Sequence, residues 1–257
     1  MIQMRLRAPC RREFEKDVYR PGVISLSRLV WGSLGGGLTL AVIALVSRGC
    51  GVGVLYPPLA ATCFINAACV YLRVARPRQV IVGHLVSSAA GLLAVLAGDA
   101  LIQALPTGAI LPLKLGLAVG LAAVFMQIFD ADHPPAAATA AIPAILPLPV
   151  APLLLPLHMA WGAVIAVLCA LAWNRVWFIY PPPEGEDCPL CLGLHQGRLE
   201  LLGLGLCVLA AVLMGLRALS VPCYQAGLWL MLAGGLVLML QHFAEVRVVS
   251  GSDPGRS

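Results

Sequence analysis

Long apolar runs alternate with short polar segments along the whole chain. Eight runs stand out, at residues 29–46, 54–72, 80–105, 113–129, 136–155, 157–177, 199–219 and 227–243. A hydrocarbon core of about 30 Å is crossed by about 20 helical residues, and several runs reach that length. The second run is short after Pro58 and prolines interrupt the fifth, so both are expected to be irregular or discontinuous. The pattern predicts an all-α membrane protein with about eight transmembrane helices.

Composition supports a chain that lies largely in lipid. Hydrophobic residues make up 60% of the 257 residues and charged residues 11%, and the mean hydropathy is +0.90. Soluble domains usually carry about 25% charged residues. The net charge of +5 is spread over short polar segments, and nothing in the sequence is typical of a nucleic-acid-binding module, so no nucleic-acid partner is expected.

The distribution of basic residues predicts the orientation. With the N-terminus in the cytoplasm, fourteen of the seventeen Lys and Arg residues fall on the cytoplasmic side, as the positive-inside rule describes. We therefore expect a multi-pass protein of the inner (plasma) membrane with both ends in the cytoplasm. Its predicted parts are a basic cytoplasmic arm at 1–28, a six-span core at 29–180, a cytoplasmic Cys/His loop at 181–198, and a two-helix transmembrane hairpin with a short tail at 199–257.

An internal repeat divides the six-span core. Residues 56–62 read YPPLAAT and residues 133–139 read HPPAAAT, an offset of 77. Each copy follows a Gly-rich apolar helix, and each is followed by a histidine, His84 or His158, that opens another apolar helix. One unit has three spans, and an odd number gives the two copies opposite orientations. The sequence predicts two inverted three-helix repeats; the alternative is chance similarity in a chain rich in Ala and Pro.

The second copy of the repeat carries several polar residues at a helix start. Asp130, Asp132 and His133 precede Pro134 and Pro135, and proline is favoured in the first turn of a helix. Free N–H groups and the helix dipole at such a start attract anions, which favours a ligand or proton site. The alternative is that Asp132 only caps the helix and His133 lies at the headgroup level.

Two upstream residues form a second candidate site. Arg78 offers a guanidinium fork that suits planar oxyanions, and His84 lies inside an apolar helix, where an imidazole is costly unless it faces protein or water. The alternative is that Arg78 only fixes topology. Asp99 is a proton-relay candidate if it is buried, and His158 is expected at the membrane interface. The candidate substrate-binding residues are Arg78, His84, Asp132, His133, Pro134, Pro135 and Thr139.

The predicted cytoplasmic loop contains a C-x2-C-x3-H pattern. Cys188, Cys191 and His195 offer three donors to zinc, whereas a structural zinc site usually has four Cys or His ligands. The alternatives are a loop without metal and a redox-active dithiol. No cofactor is expected apart from this zinc alternative. No catalytic motif accompanies the lone CxxC, so an enzyme is not expected.

Residues 130–139, together with residues 75–84, resemble the HPP family of integral membrane proteins. The family takes its name from the His-Pro-Pro that stands here as His133, Pro134 and Pro135. The resemblance covers roughly residues 29–180. Members in plastids and cyanobacteria have been linked to nitrite transport, which implies transport of a small inorganic anion. In the first copy, residues 57–61 read PPLAA where the family usually reads PFGAS, and Arg76 replaces the usual Gln.

The leading interpretation is therefore a transporter or channel for a small inorganic anion such as nitrite. Its expected partners are the lipid bilayer and a small anionic solute, and assembly into a homo-oligomer is left open. One alternative is a membrane sensor or scaffold whose cytoplasmic loop binds metal. Another is a membrane thiol oxidoreductase that uses Cys188 and Cys191.

Overall fold

Eight α-helices make up most of the residues that the structure describes. The structure is a computed structural model that describes residues 5–7, 23–70, 72–100, 107–176 and 198–241. The helices are α1 (Ser33–Cys50), α2 (Tyr56–Ala68), α3 (Pro77–Ala100), α4 (Thr107–Ile128), α5 (Pro134–Ile145), α6 (Leu155–Arg175), α7 (Arg198–Gly215) and α8 (Val221–Leu240). A π-helical turn, Arg28–Gly32, leads into α1. Two strands that the sequence pattern did not predict, β1 (Arg5–Arg7) and β2 (Val23–Ser25), pair in parallel.

Within the described ranges, five helical segments are long and apolar enough to cross a membrane. They are Arg28–Cys50, Pro77–Ala100, Gly108–Ile128, Pro152–Arg175 and Val221–Leu240, and α7 is a shorter apolar helix. Helices α2 and α5 have 13 and 12 residues, which at 1.5 Å per residue gives each a length of about 20 Å or less. The eight helices of the described residues agree in number with the predicted eight, and five of the predicted spans meet the length and composition of a membrane-crossing helix. The irregularity expected of the second and fifth runs takes the form of these two short helices.

Helices α3 and α6 lie at the centre of the helical body. In the most apolar 18-residue stretch of each segment, the buried share is 67% for the segment of α3 and 61% for that of α6. The other three segments bury 28%, 22% and 33% of theirs. The surrounding helices expose large apolar side chains such as Leu38 of α1, Val124 of α4 and Trp229 of α8. Because helices with one buried and one exposed apolar face need an apolar solvent, this surface suits lipid.

Each of the two short helices packs against the helix before it and against the last helix of the other half of the six-helix core. Helix α2 packs against α1 and α6, and α5 packs against α4 and α3. Exchanging α1 for α4, α2 for α5 and α3 for α6 turns the contacts of α2 into those of α5, so the two halves have the same helix pairs. The long helix before each short one also ends in the same way, because Gly51 after α1 and the turn residue Asp130 after α4 have left-handed backbones, with φ of 68° and 50°.

The hairpin of α7 and α8 packs along one side of this core. Near its start, α8 places the Tyr224 hydroxyl 2.6 Å from His158 Nε2 of α6. Near its end, the Leu238 carbonyl accepts a hydrogen bond of 3.1 Å from Arg78 Nε of α3. Tyr224 and Leu238 are about 21 Å apart along the helix. The first turns of α3 and α6 therefore lie near opposite ends of α8.

Candidate functional site

Two histidines and two threonines form a continuous polar network inside the core. His84, His133, Thr62 and Thr139 are all fully buried. Thr62 Oγ1 lies 2.8 Å from His84 Nε2 and 2.8 Å from His133 Nε2. His84 Nδ1 lies 3.0 Å from Thr139 Oγ1. His133 Nδ1 lies 2.7 Å from the carbonyl oxygen of Val74, so the network ends at the backbone of the 3-10 turn Arg73–Ala75.

Three helices and one turn supply these side chains. Thr62 lies in the middle of α2, His84 near the start of α3, Thr139 in α5, and His133 is the residue that precedes α5. Gly83 allows the close approach, because a Cβ at this position would lie 2.8 Å from His133 Cβ and 3.2 Å from the Ala131 carbonyl oxygen. A side chain at Gly83 would therefore push the start of α5 away from α3.

One assignment of the hydrogen-bond directions satisfies every member of the network in the neutral state. The Val74 carbonyl only accepts, so His133 Nδ1 carries a proton and its Nε2 accepts from the Thr62 hydroxyl. Thr62 Oγ1 must then accept from His84 Nε2–H, which leaves His84 Nδ1 to accept from the Thr139 hydroxyl. Every member is satisfied, and all the donors point from Thr139 towards Val74. Such fully paired networks are stable in a low-dielectric interior.

Arg78 is buried beside this network but is held by other partners. Its guanidinium donates to the carbonyl oxygens of Phe129, Asp130 and Leu238, and one nitrogen lies 3.5 Å from the Asp130 carboxylate. These carbonyls belong to the ends of α4 and α8, which lack intrahelical partners and favour a cation. Arg73 forms a second ion pair with Asp130. Most donors of Arg78 are therefore committed to structure.

The start of α5 differs from the anion site that the sequence suggested. Pro134 and Pro135 have no N–H group, and the Ala136 N–H donates to the His133 carbonyl at 2.8 Å, so this turn lacks the expected free donors. The residue that precedes the helix is His133, whose side chain makes no capping bond, and Asp132 is exposed. Among the candidates, Pro134 is exposed and Pro135 is buried. The structure thus brings together only His84, His133 and Thr139.

A further buried histidine, His158, lies near the start of α6. The His158 side chain is fully buried within the protein, and its expected position at the membrane interface stays a prediction. His158 Nδ1 donates to the Gly53 carbonyl at 2.8 Å, and Nε2 faces the Tyr224 hydroxyl. The Arg217 guanidinium lies 4.8 Å from the centre of the Tyr224 ring. His84 and His158 each follow one copy of the repeated motif, His84 on α3 and His158 on α6.

The remaining predicted residues lie away from the network. Asp99 pairs with Lys114 at 2.5 Å and exposes 57% of its side chain, which does not suit a buried proton relay. Cys188, Cys191 and His195 lie outside the described residues. In the part of the chain that the structure describes, no three His, Cys, Asp or Glu side chains are grouped to hold a metal ion.

Sequence reasoning missed Thr62, which joins the two histidines. The repeat contained the signal, because Thr62 occupies the position of Thr139 in the first copy, and both threonines contact His84. Ser87 was also missed. It lies about one turn beyond His84, and its fully buried hydroxyl has no hydrogen-bond partner among the described residues. Buried hydroxyls without a protein partner are commonly satisfied by ordered water.

Comparison with known families identifies one match. The sequence model described as HPP, transmembrane region, matches residues 21–181. No curated protein and no solved structure matches the chain.

Proposed function

The chain belongs to the HPP family of integral membrane proteins, and we propose that it moves a small solute across the bilayer. The observation that carries the proposal is the buried network of His84, His133, Thr62 and Thr139, which joins helices from both halves of an apolar six-helix core. Polar and ionisable side chains inside a membrane are costly and usually mark a path for a solute or a proton. The network is the strongest such feature in the described part of the chain.

The path follows the contact between two inverted three-helix units, α1–α3 and α4–α6. Two observations support the inversion. The helix pairs of the core are reproduced when the two units are exchanged, and the first turns of α3 and α6 lie near opposite ends of α8. In transporters built from inverted repeats, substrate sites lie at the repeat interface and often involve discontinuous helices. The short helices α2 and α5 fill that role here.

The solute is a small inorganic anion such as nitrite. The resemblance to family members linked to nitrite transport supports this choice. The charges at the Val74 end of the network balance and favour neither sign, because Arg73, Arg76 and Arg78 stand against Asp130, Asp132 and Glu200 there. His84, His133 and Thr139 would contact the solute by exchanging hydrogen bonds of the network for bonds to the solute, and Arg78 would contribute positive potential from the rim.

Flux into proteoliposomes tests this function. Purified protein is reconstituted, and uptake of nitrite, nitrate, bicarbonate and simple cations is followed with and without a proton gradient. We expect saturable uptake of one of the anions, lost in His84→Ala and kept in Thr39→Val, a change at a buried threonine of α1. If protein-free vesicles and vesicles with wild-type protein take up all these solutes at equal rates, the proposal fails.

A further inference from the structure

We propose that Thr139, His84, Thr62 and His133 form a proton relay that ends at the 3-10 turn Arg73–Ala75. The inference deepens the proposed function, on which it rests for the solute whose movement is coupled to the proton. The contacts along the relay measure 3.0, 2.8, 2.8 and 2.7 Å, all within hydrogen-bonding distance. Each member between the ends both donates and accepts, so no gap interrupts the path.

Thr62 has the alternative acceptor that a relay needs. Its hydroxyl faces His133 Nε2 at 2.8 Å and the carbonyl oxygen of Pro58 at 3.2 Å. In the neutral network it donates to His133. When His133 carries a second proton, Nε2 donates to Thr62 Oγ1, and the Thr62 hydroxyl turns to the Pro58 carbonyl. Both protonation states of His133 are therefore fully hydrogen-bonded, and the two states differ by one hydroxyl rotation.

One proton enters and one leaves in each passage. The Thr139 hydroxyl gives its proton to His84 Nδ1 and takes up the incoming proton on its oxygen. His84 Nε2 gives its proton to Thr62 Oγ1, while Thr62 gives its own to His133 Nε2. His133 then exchanges its hydrogen bond to the Val74 carbonyl for one to a water molecule at the rim and releases the Nδ1 proton to that water. Only N–H and O–H bonds form and break, and rotation of the hydroxyls and exchange of the imidazole tautomers restore the initial state.

The two ends of the relay have different surroundings. At the His133 end, Val74 is half-buried and Asp132 is exposed, so this end lies next to the protein surface. At the other end, the unpartnered hydroxyl of Ser87 lies about one turn beyond His84. This buried hydroxyl marks a polar position where a water molecule or the solute would deliver the proton.

Several charged groups lie near the turn at which the relay ends. Arg73 and Arg78 pair with Asp130. Arg76 and Asp132 lie nearby in sequence. The carboxylate of Glu200 in α7 attracts the Arg78 guanidinium electrostatically. The two imidazole rings lie 5.3 Å apart, so their positive charges repel each other. The repulsion favours one extra proton on the pair at a time, which suits stepwise transfer.

Proton flux and nitrite flux, measured in the same proteoliposomes, test the relay. A trapped pH-sensitive dye reports proton entry driven by a potassium diffusion potential, with and without external nitrite, and protein-free vesicles correct for permeation of nitrous acid. Thr62→Val keeps the shape of the side chain but removes the hydroxyl between the two histidines. We expect it to lower proton flux about 100-fold, Thr62→Ser to restore it, and Thr39→Val to leave it unchanged.

A second variant separates proton transfer from folding. In His133→Gln the amide can still donate to Val74 and accept from Thr62, but it does not carry a proton, so proton flux should also be lost in protein that remains monodisperse. Wild-type proton flux in folded Thr62→Val or His133→Gln would overturn the relay. Nitrite flux that does not depend on the pH gradient would also overturn the relay, but it would still support the proposed function. Proton flux that requires Thr62 without any nitrite flux would instead support the relay and remove the anion-transport proposal.

Discussion

Replacing Arg78 with methionine should destabilise the protein, because one guanidinium joins three helices. The fork contacts the carbonyls of Phe129, Asp130 and Leu238 and the carboxylate of Asp130. Its side chain is 6% exposed, and that of Asp130 is 33% exposed. Methionine keeps much of the apolar stem but leaves these buried acceptors at the ends of α4 and α8 without a donor.

The size of the effect follows from these contacts. Hydrogen bonds to a charged group contribute about 1.5–3 kcal/mol each, and removal of one partner from a buried ion pair costs about 3–5 kcal/mol. Because water reaches part of Asp130, we take the low end, roughly 3 kcal/mol. Arg78→Lys keeps the charge but loses the fork, and we expect it to lose roughly 1–2 kcal/mol. The exposed Arg48 offers a matched control, and Arg48→Met should change stability by less than about 0.5 kcal/mol.

Thermal unfolding in detergent measures these differences. The buried thiols of Cys63 and Cys207 become reactive on unfolding, so a thiol-reactive dye reports the transition. A loss of about 3 kcal/mol should lower the midpoint by roughly 6–12 °C. If Arg78→Met has the same unfolding midpoint as Arg48→Met but loses anion uptake, Arg78 is a solute ligand. The structural role argued from its contacts is then wrong.

Three further predictions concern packing, the cytoplasmic loop and topology. Gly91→Ala should lower stability by about 1–3 kcal/mol, because the new Cβ would meet the Ala140 backbone of α5. Gly116→Ala is the control and should not lower it, because nothing lies within 4 Å of the new Cβ. Equal thermal midpoints for the two variants would refute the close packing. Zinc binding by the Cys/His loop would appear as stoichiometric metal in the purified protein, lost in Cys188→Ser, and metal-free wild-type protein would exclude it. A cysteine at position 76 should react with impermeant reagent only from the cytoplasmic side; labelling from outside would reverse the predicted orientation.

The apolar pattern predicted the number of helices and the places where the chain is irregular. Prolines at 57–58 and 134–135 mark the starts of α2 and α5, and Pro147 and Pro149 follow the end of α5. Proline has no N–H and favours the first turn of a helix, so these limits follow from local chemistry. The same property shows that the start of α5 has few free donors, which the sequence argument had not taken into account.

Long-range partners were beyond the reach of the pattern. Arg78 binds the carbonyl of Leu238, 160 residues away, and His158 binds the hydroxyl of Tyr224 in the hairpin. Periodicity gives the face of a helix but not the neighbour that covers it, so neither contact follows from spacing. The repeated motif contains more of this information, because it assigns equivalent positions to Thr62 and Thr139, and both threonines contact His84.

The pH dependence of nitrite uptake by wild type and His133→Ala tests the central claim most directly. External pH is varied from 5 to 8 in proteoliposomes, with folding of the variant checked by its thermal midpoint. Wild-type uptake should rise as external pH falls, because the proton that enters with the anion becomes more available, and His133→Ala should lose both the rise and most of the uptake. Wild-type rates in well-folded His133→Ala across this range would contradict the account and leave His133 as a structural residue.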